Sequence, residues 1–390
     1  MFGFKRRIYL DYASATPIVP AALKAYFHAA QTFANPGAIH AEGVMAQRML
    51  TDSRERIAAH LGCKARELIF TSGLTEANMI AIVGTARALE LRNRSLQNTH
   101  WIVSSIEHSS VLQSFVEIER MGGTVSHVDP ESNGIVTVER IVNTLRPNTV
   151  FASVGWGNNE IGTIQPISKI ARTLRSYGKV NNSQILFHCD AGQAPLYRAS
   201  HVHTLGVDMF ALGSGKLYGP RGIGCLYLSN RSNVAPISFG GGQERGLRPG
   251  TEDHALAVGF AEAFDIITRE RESEANRLLK LRNTFMREIL ARIRNVVING
   301  DLAHAMPHIL NISIPGERSG EYLVLALDHA GVALSTKSAC REGEARSHVV
   351  ETLGGDPWRA QNTLRFSLGR DTTERDLRRV ITILEGLFQT

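Results

Sequence analysis

Two ionisable side chains in the middle of the chain stand where chemistry can be done. Asp190, in Phe187-His188-Cys189-Asp190-Ala191, and Lys216, in Gly213-Ser214-Gly215-Lys216-Leu217, each follow a short apolar run that reads as a strand. In open α/β sheets, ligands sit beyond the carboxyl ends of the strands, so two such ends can bring both groups to one crevice. A lysine amine can form a Schiff base with an aldehyde, and a carboxylate can keep a pyridinium nitrogen protonated. Pyridoxal phosphate (PLP) requires both of a protein. The same two residues would equally make a buried ion pair or solvated loop positions. They are not part of a phosphate-binding P-loop, because that motif needs glycine where Phe210 stands and Ser or Thr where Leu217 stands.

Further candidates fall at loop positions after other strand-like runs. His108, in Glu107-His108, can stack on an aromatic ring or relay protons, or simply cap a helix. The amides of Asn158-Asn159-Glu160-Ile161-Gly162 can bind a phenolic oxygen or a carboxylate, or build a turn. Thr71-Ser72-Gly73-Leu74-Thr75-Glu76 opens a helix with hydroxyls and backbone N–H groups, either an anion cradle or an ordinary cap. Arg365 lies on an apolar strand, where an unpaired guanidinium is costly and a substrate carboxylate would satisfy it. Cys340 sits among small and polar residues between Lys337 and Arg341, surroundings that favour a thiolate nucleophile. An incidental surface cysteine would have the same neighbours.

The elements that must position these residues follow from hydrophobic periodicity. Helices are expected at 21–30, 41–61, 109–121, 138–145 and 167–177, and one running from Thr71-Ser72-Gly73 through Ala88. Strands are expected at 68–70, 101–103, 124–128, 149–154 and 185–188, with a hairpin of 209–212 and 225–228. This alternation predicts a mostly parallel sheet covered by helices on both faces. The irregular stretch from Gly240 to Thr251 is long for a loop inside a compact domain and reads as functional. A long helix at 255–294 leads into an α+β pattern: strands 308–314, 332–334 and 363–367, helices 320–329, 348–353 and 373–388.

Bulk composition excludes several classes. The 390 residues carry 43 Lys and Arg against 37 Asp and Glu, interspersed, so no direct nucleic-acid contact is expected. No apolar stretch is long enough for a membrane span or a signal peptide. The four cysteines have neither metal-ligand spacing nor the density of a disulfide framework, so no metal is expected and a reducing, cytoplasmic setting fits.

In order along the chain, Leu10-Asp11-Tyr12, Asn35-Pro36, Thr71-Ser72-Gly73 with Thr75-Glu76, Glu107-His108, Asn158-Asn159-Glu160-Ile161-Gly162, and Asp190-Ala191 with Gln193 make a recognisable series. It continues through Lys216-Leu217-Tyr218-Gly219-Pro220, the loop ending at Thr251, Ser338-Ala339-Cys340 and Arg365-Phe366-Ser367-Leu368-Gly369-Arg370. Over nearly its whole length the chain thus resembles the NifS/IscS-type cysteine desulfurases of the class V aminotransferase group. The resemblance implies an α/β fold, PLP-dependent transferase fold type I, with a mostly parallel seven-stranded sheet in a large domain and a smaller α+β C-terminal domain. It implies an N-terminal arm at 1–15 packing with the small domain, a large domain at 16–256 and a small one at 257–390 carrying the Cys340 loop. Lys216 would hold PLP covalently, Asp190 would bind its ring nitrogen, His108 would stack on the ring and Gln193 would bond the phenolic oxygen. Thr75 would meet the phosphate, and Thr251 would reach it from the other subunit of a homodimer. Asn158 and Arg365 would hold the substrate carboxylate, and Cys340 would take the sulfur of L-cysteine as a persulfide, leaving alanine. Sulfur would pass to an acceptor such as an iron–sulfur scaffold or a tRNA-thiolation protein. A selenocysteine lyase or other class V activity, or a catalytically silent dimeric scaffold, are the alternatives. The chain departs from the family where Gly213 and Gly215 replace the usual Ser and His, where Met79 replaces an Asn, and where a Glu-Pro before Ser347-His348 is absent. Phosphate anchoring then leans on Thr75, backbone N–H groups and Thr251, or on Ser214.

Overall fold

The computed structural model describes residues 7–337 and 346–388. The chain opens with β1 (Ile8–Tyr9) and then α1 (Pro20–Ala29), whose proline sits at the first helical position, where its missing N–H costs nothing. Helix α2 (Ala41–Leu61) starts where the ring of His40 accepts the N–H of Gly43, and ends at Gly62, left-handed at φ 65. There follow β2 (Leu68–Thr71), α3 (Leu74–Glu90), β3 (His100–Ser104), α4 (Ser109–Arg120), β4 (Thr124–Val128), α5 (Val138–Thr144) and β5 (Thr149–Ser153). Next come α6 (Ile167–Val180), β6 (Leu186–Asp190), α7 (Val202–Leu205), β7 (Met209–Gly213) and β8 (Gly224–Leu228). After the loop ending at Thr251, α8 (His254–Arg292) runs for 39 residues, its first turn capped by Asp253.

Seven strands form one sheet in the order β2-β8-β7-β6-β5-β3-β4. Strand β8 is antiparallel to both neighbours and every other pair is parallel, so the expected hairpin is β7–β8, in register from Met209↔Leu228 to Gly213↔Gly224. Successive side chains point to opposite faces: Ile102, Phe187, Phe210 and Tyr227 into one apolar layer, Trp101, Leu186, Met209 and Leu226 into the other. Both faces are roofed by helices, which is why these strands read as unbroken apolar runs. Each large side chain so buried contributes roughly 1.5–3 kcal/mol.

The C-terminal part contains β9 (Val297–Ile298), β10 (Ile309–Ser313), α9 (Gly320–His329), β11 (Val332–Ala333), α10 (His348–Thr352), α11 (Pro357–Gln361), β12 (Thr363–Ser367) and α12 (Glu374–Phe388). An antiparallel sheet β12-β10-β9 packs here, and β1 pairs parallel with β11, so the start of the chain is built into this part. The N–H of Tyr12 continues the attachment by donating to the carbonyl of Ser367 at 3.3 Å. Three short elements were not foreseen: α7, β9 and α11. With two to five residues each, they carry too few positions for a periodicity to show.

Candidate active site

The carboxyl ends of β3, β5, β6 and β7 open onto one cleft, lined among others by Leu74, Thr75, Glu107, His108, Asn158, Asp190, Gln193 and Lys216. The cleft is open to solvent, and its empty space, the solvent at its mouth included, is ≈ 770 Å³. Strand β6 runs two residues beyond the expected 185–188, which makes Asp190 its last residue and delivers the carboxylate to the cleft. There Oδ1 accepts the N–H of Gly192 at 2.9 Å and Oδ2 accepts Nδ2 of Asn78 at 2.7 Å. Asn78 is fully buried on α3 and also donates to Ser110 Oγ, while its own Oδ1 has no hydrogen-bond partner among the described residues. Asn78 is not among the candidate residues named from the sequence.

Lys216 lies on the turn after β7. Its Nζ donates to the carbonyls of Ala13 at 2.9 Å and Ser14 at 2.6 Å, so the N-terminal segment closes over the amine. Gln193, 3% exposed, donates Nε2 to the same Ala13 carbonyl at 2.9 Å. His108 takes the capping role and stands at the cleft. Its Nδ1 accepts the N–H of Ser110 at 3.1 Å to cap α4. Glu107 beside it turns inward, 5% exposed, and its Oε1 accepts the N–H of Gly155 at 2.7 Å. Burial pushes its carboxyl up to about 8; the Gly155 N–H opposes the rise and the Asp190 charge adds to it.

Asn158 lines the cleft while holding its own turn. Oδ1 accepts the N–H groups of Glu160 at 2.9 Å and Ile161 at 3.0 Å, and Nδ2 donates to the carbonyl of Ile106 at 2.9 Å. Arg365 is 1% exposed and not among the lining residues. The partner expected to be a substrate carboxylate is internal here: Nη2 reaches Asp11 Oδ1 at 2.7 Å and Ser14 Oγ at 2.6 Å, and Nη1 reaches the Asn159 carbonyl at 3.0 Å. Ser214 is fully buried, is not a lining residue, and its Oγ has no partner among the described residues. The hydroxyl lies 2.2 Å from where a Cβ on Gly219 would stand, so it packs against that glycine and away from the cleft. Thr251 lines a separate cleft with Glu244 and Arg248. Cys340 lies outside the described residues.

The residues present fit PLP. Asp190 has both oxygens oriented by Asn78 and Gly192, as a carboxylate paired with a ring nitrogen needs. At another wall, α3 begins at Gly73 without a side-chain cap, and a Cβ there would meet nothing within 4 Å. Its first-turn N–H groups have no intrahelical acceptors and lie next to Leu74 and Thr75, where a phosphate can be taken. Gly213 has a packing reason to be glycine, since its Cβ would stand 3.0 Å from that of Leu74.

The family described as Aminotransferase class-V matches residues 8–380. The cysteine desulfurase IscS of Dictyoglomus turgidum is 36% identical over 389 residues, covering 99% of this chain and 95% of that protein. The cysteine desulfurase IscS of Vibrio cholerae is 37% identical over 387 residues, covering 97% and 92%. Among solved structures, a NifS-like protein superposes with a TM-score of 0.90 at 28% identity, covering 98% of this chain and 99% of its own. A structure titled "SspA in complex with cysteine" superposes at 0.79 with 30% identity, covering 93% and 98%. With its sheet order, its strand-end cleft and these full-length likenesses, the chain belongs to the class V aminotransferase family, among the IscS/NifS-type cysteine desulfurases.

Proposed function

We propose that this protein is a PLP-dependent cysteine desulfurase that converts L-cysteine to L-alanine and leaves the sulfur as a persulfide on Cys340. The observation that carries the reading is one cleft holding Lys216, Asp190, His108 and Gln193 together at the carboxyl ends of a parallel sheet. When bound, the cofactor supplies an electron sink for the substrate carbons. The protein's own residues do the rest. Lys216 offers the amine that joins the cofactor and afterwards moves protons at the substrate. Asp190, fixed by Asn78, keeps the ring nitrogen charged. His108, tethered to the start of α4, presents its ring face. Asn158 stands in the cleft to receive the substrate carboxylate, and Arg365 would join it by exchanging its bond to Asp11 for one to that carboxylate. The Cys340 thiolate attacks the substrate sulfur, the carbon–sulfur bond breaks with its electron pair on carbon, and a proton completes alanine.

The arrangement 1–15 arm, 16–256 large domain and 257–390 small domain is supported by the pairing of β1 with β11. A homodimer is supported by the exposed apolar side chains Phe27, Phe33, Ile39 and Met45. In such a dimer the Thr251 cleft would bring Thr251 to the partner's phosphate. No helix among the described residues is long and apolar enough to cross a membrane. Cys63, Cys189 and Cys225 are all free thiols, in keeping with a cytoplasmic location and a sulfur acceptor protein there.

The test is product analysis with L-cysteine and a thiol reductant. Equal amounts of alanine and sulfide are expected, with none from Lys216→Ala. Cys340→Ser is expected to keep the cofactor colour and lose the persulfide. Faster alanine release from selenocysteine or cysteine sulfinate than from cysteine would move the assignment to a related β-elimination. A colourless protein that stays inert with added PLP would leave only the scaffold.

A further inference from the structure

Behind Gln193 stands a buried histidine that the chemistry above does not use. His308 directly precedes β10 and is fully buried, and its ring centroid is 4.8 Å from that of Tyr197. Its Nε2 lies 3.3 Å from Gln193 Oε1, and its Nδ1 has no hydrogen-bond partner among the described residues. Burial, and then the charges of Arg365 and Arg282, push the imidazole down to about 3, so it is neutral and carries a single N–H.

Two contacts then fix where every proton sits. The Ala13 carbonyl can only accept, so Gln193 must turn its Nε2 toward Ala13 and its Oε1 toward His308. Oε1 can only accept, so the imidazole proton must be on Nε2. The flipped amide would set two acceptors against each other at Ala13. Gln193 Nε2 has a second hydrogen, and Gln193 lines the same cleft as Lys216 and Asp190. That hydrogen is the donor available to a ligand.

We infer that His308 is a positioning residue that locks the Gln193 amide as a hydrogen-bond donor toward an anionic oxygen of the ligand in the cleft. Resting on the proposed function, that oxygen is the phenolic oxygen of PLP. The lock reaches from the C-terminal part of the chain, at β10, to the sheet that carries Asp190. It uses the same Ala13 carbonyl that holds Lys216 Nζ at 2.9 Å. A donor at the phenolic oxygen stabilises its negative charge and so weakens its hold on the neighbouring proton. Loss of the donor therefore raises the pH at which the bound cofactor changes colour.

The experiment titrates the absorbance of the PLP-loaded protein against pH. His308→Phe keeps a ring against Tyr197 and removes the N–H. It is expected to raise the midpoint by about 0.7 pH unit, the equivalent of one neutral hydrogen bond of about 1 kcal/mol, and to speed cofactor loss. His308→Gln, which restores an N–H donor, returns the midpoint toward the native value. In a Gln193→Leu background His308→Phe adds no further shift. The other titratable groups facing the cleft, Lys216, Asp190, Glu107 and His108, are common to all variants, as are Tyr197, Arg282 and Arg365 around the imidazole. An unchanged midpoint in His308→Phe, or the same shift in the Gln193→Leu background, overturns the inference. Nitrogen-15 spectra of the imidazole in the native loaded protein give a second readout without substitution. A neutral ring protonated on Nε2 supports the lock, and an Nδ1–H ring or an imidazolium at pH 7 overturns it. Should PLP not bind at all, the functional reading fails, and the same spectra of the cofactor-free protein still decide the His308–Gln193 contact.

Discussion

Removing the carboxylate of Asp11 should expose how costly the Arg365 guanidinium is to bury. Arg365 is 1% exposed, its Nε has no partner among the described residues, and its other nitrogens rest on Asp11, Ser14 and the Asn159 carbonyl. Asp11 Oδ1 additionally accepts the hydroxyls of Ser14 and Ser335, each at 3.0 Å. Breaking a buried pair by deleting one partner typically costs about 3–5 kcal/mol. The Asp11 side chain is 18% exposed, so water can partly replace it and the lower end, about 3 kcal/mol, is expected for Asp11→Ala. Asp11→Asn keeps an oxygen in place and loses only the charge, which puts it at about 1.5 kcal/mol, the low end for a charge-assisted hydrogen bond. Urea unfolding of the cofactor-free protein at pH 7 measures both. Repeating Asp11→Ala in an Arg365→Met background isolates the pair, and the cost there should fall to about 1 kcal/mol, the residue of the two serine contacts. An Asp11→Ala protein within about 0.5 kcal/mol of native, or an equal cost once the guanidinium is gone, would show that burial of Arg365 does not depend on this carboxylate.

Three further outcomes follow from the same geometry. Glu107 titrates near 8 when folded against about 4.5 when unfolded, so the folded state binds the extra proton between those values and stability falls as pH rises through that window. Glu107→Gln should remove that slope, at most about 1.4 kcal/mol per pH unit, seen as a difference between the two proteins' urea midpoints at pH 5 and pH 8. Asn78→Ala deletes the 2.7 Å bond to Asp190 and should weaken PLP binding about tenfold to a hundredfold by equilibrium dialysis. Ser214→Ala should leave PLP affinity within about twofold and stability unchanged or slightly raised, because the lost hydroxyl is buried and unbonded.

The strand ends were legible because apolar runs alternating with amphipathic helices allow few arrangements, and the parallel sheet then brings Asp190 and Lys216 to one edge. Helix α2 fell on its expected bounds, where an 21-residue run is closed by a glycine in the left-handed conformation. What the sequence could not reveal was pairing across long chain separations. Nothing local to Arg365 points to Asp11, 354 residues away, and nothing near Gln193 points to His308, 115 residues away. Ser214 shows the limit of reading a side chain from its neighbours. A strand followed by a tight turn determines which way the hydroxyl faces, and here it turns to Gly219. Asn78 was hidden for a related reason: a polar residue inside a helix gains meaning only when β6 is set against α3.

The most direct test of the account is chemical. Borohydride reduction of the PLP-loaded protein, followed by peptide mass analysis, locates the amine that joins the cofactor. A phosphopyridoxyl mass is expected on the peptide containing Lys216 and none in Lys216→Ala. A label on any other lysine, or no label on a protein that remains yellow, contradicts this role for Lys216.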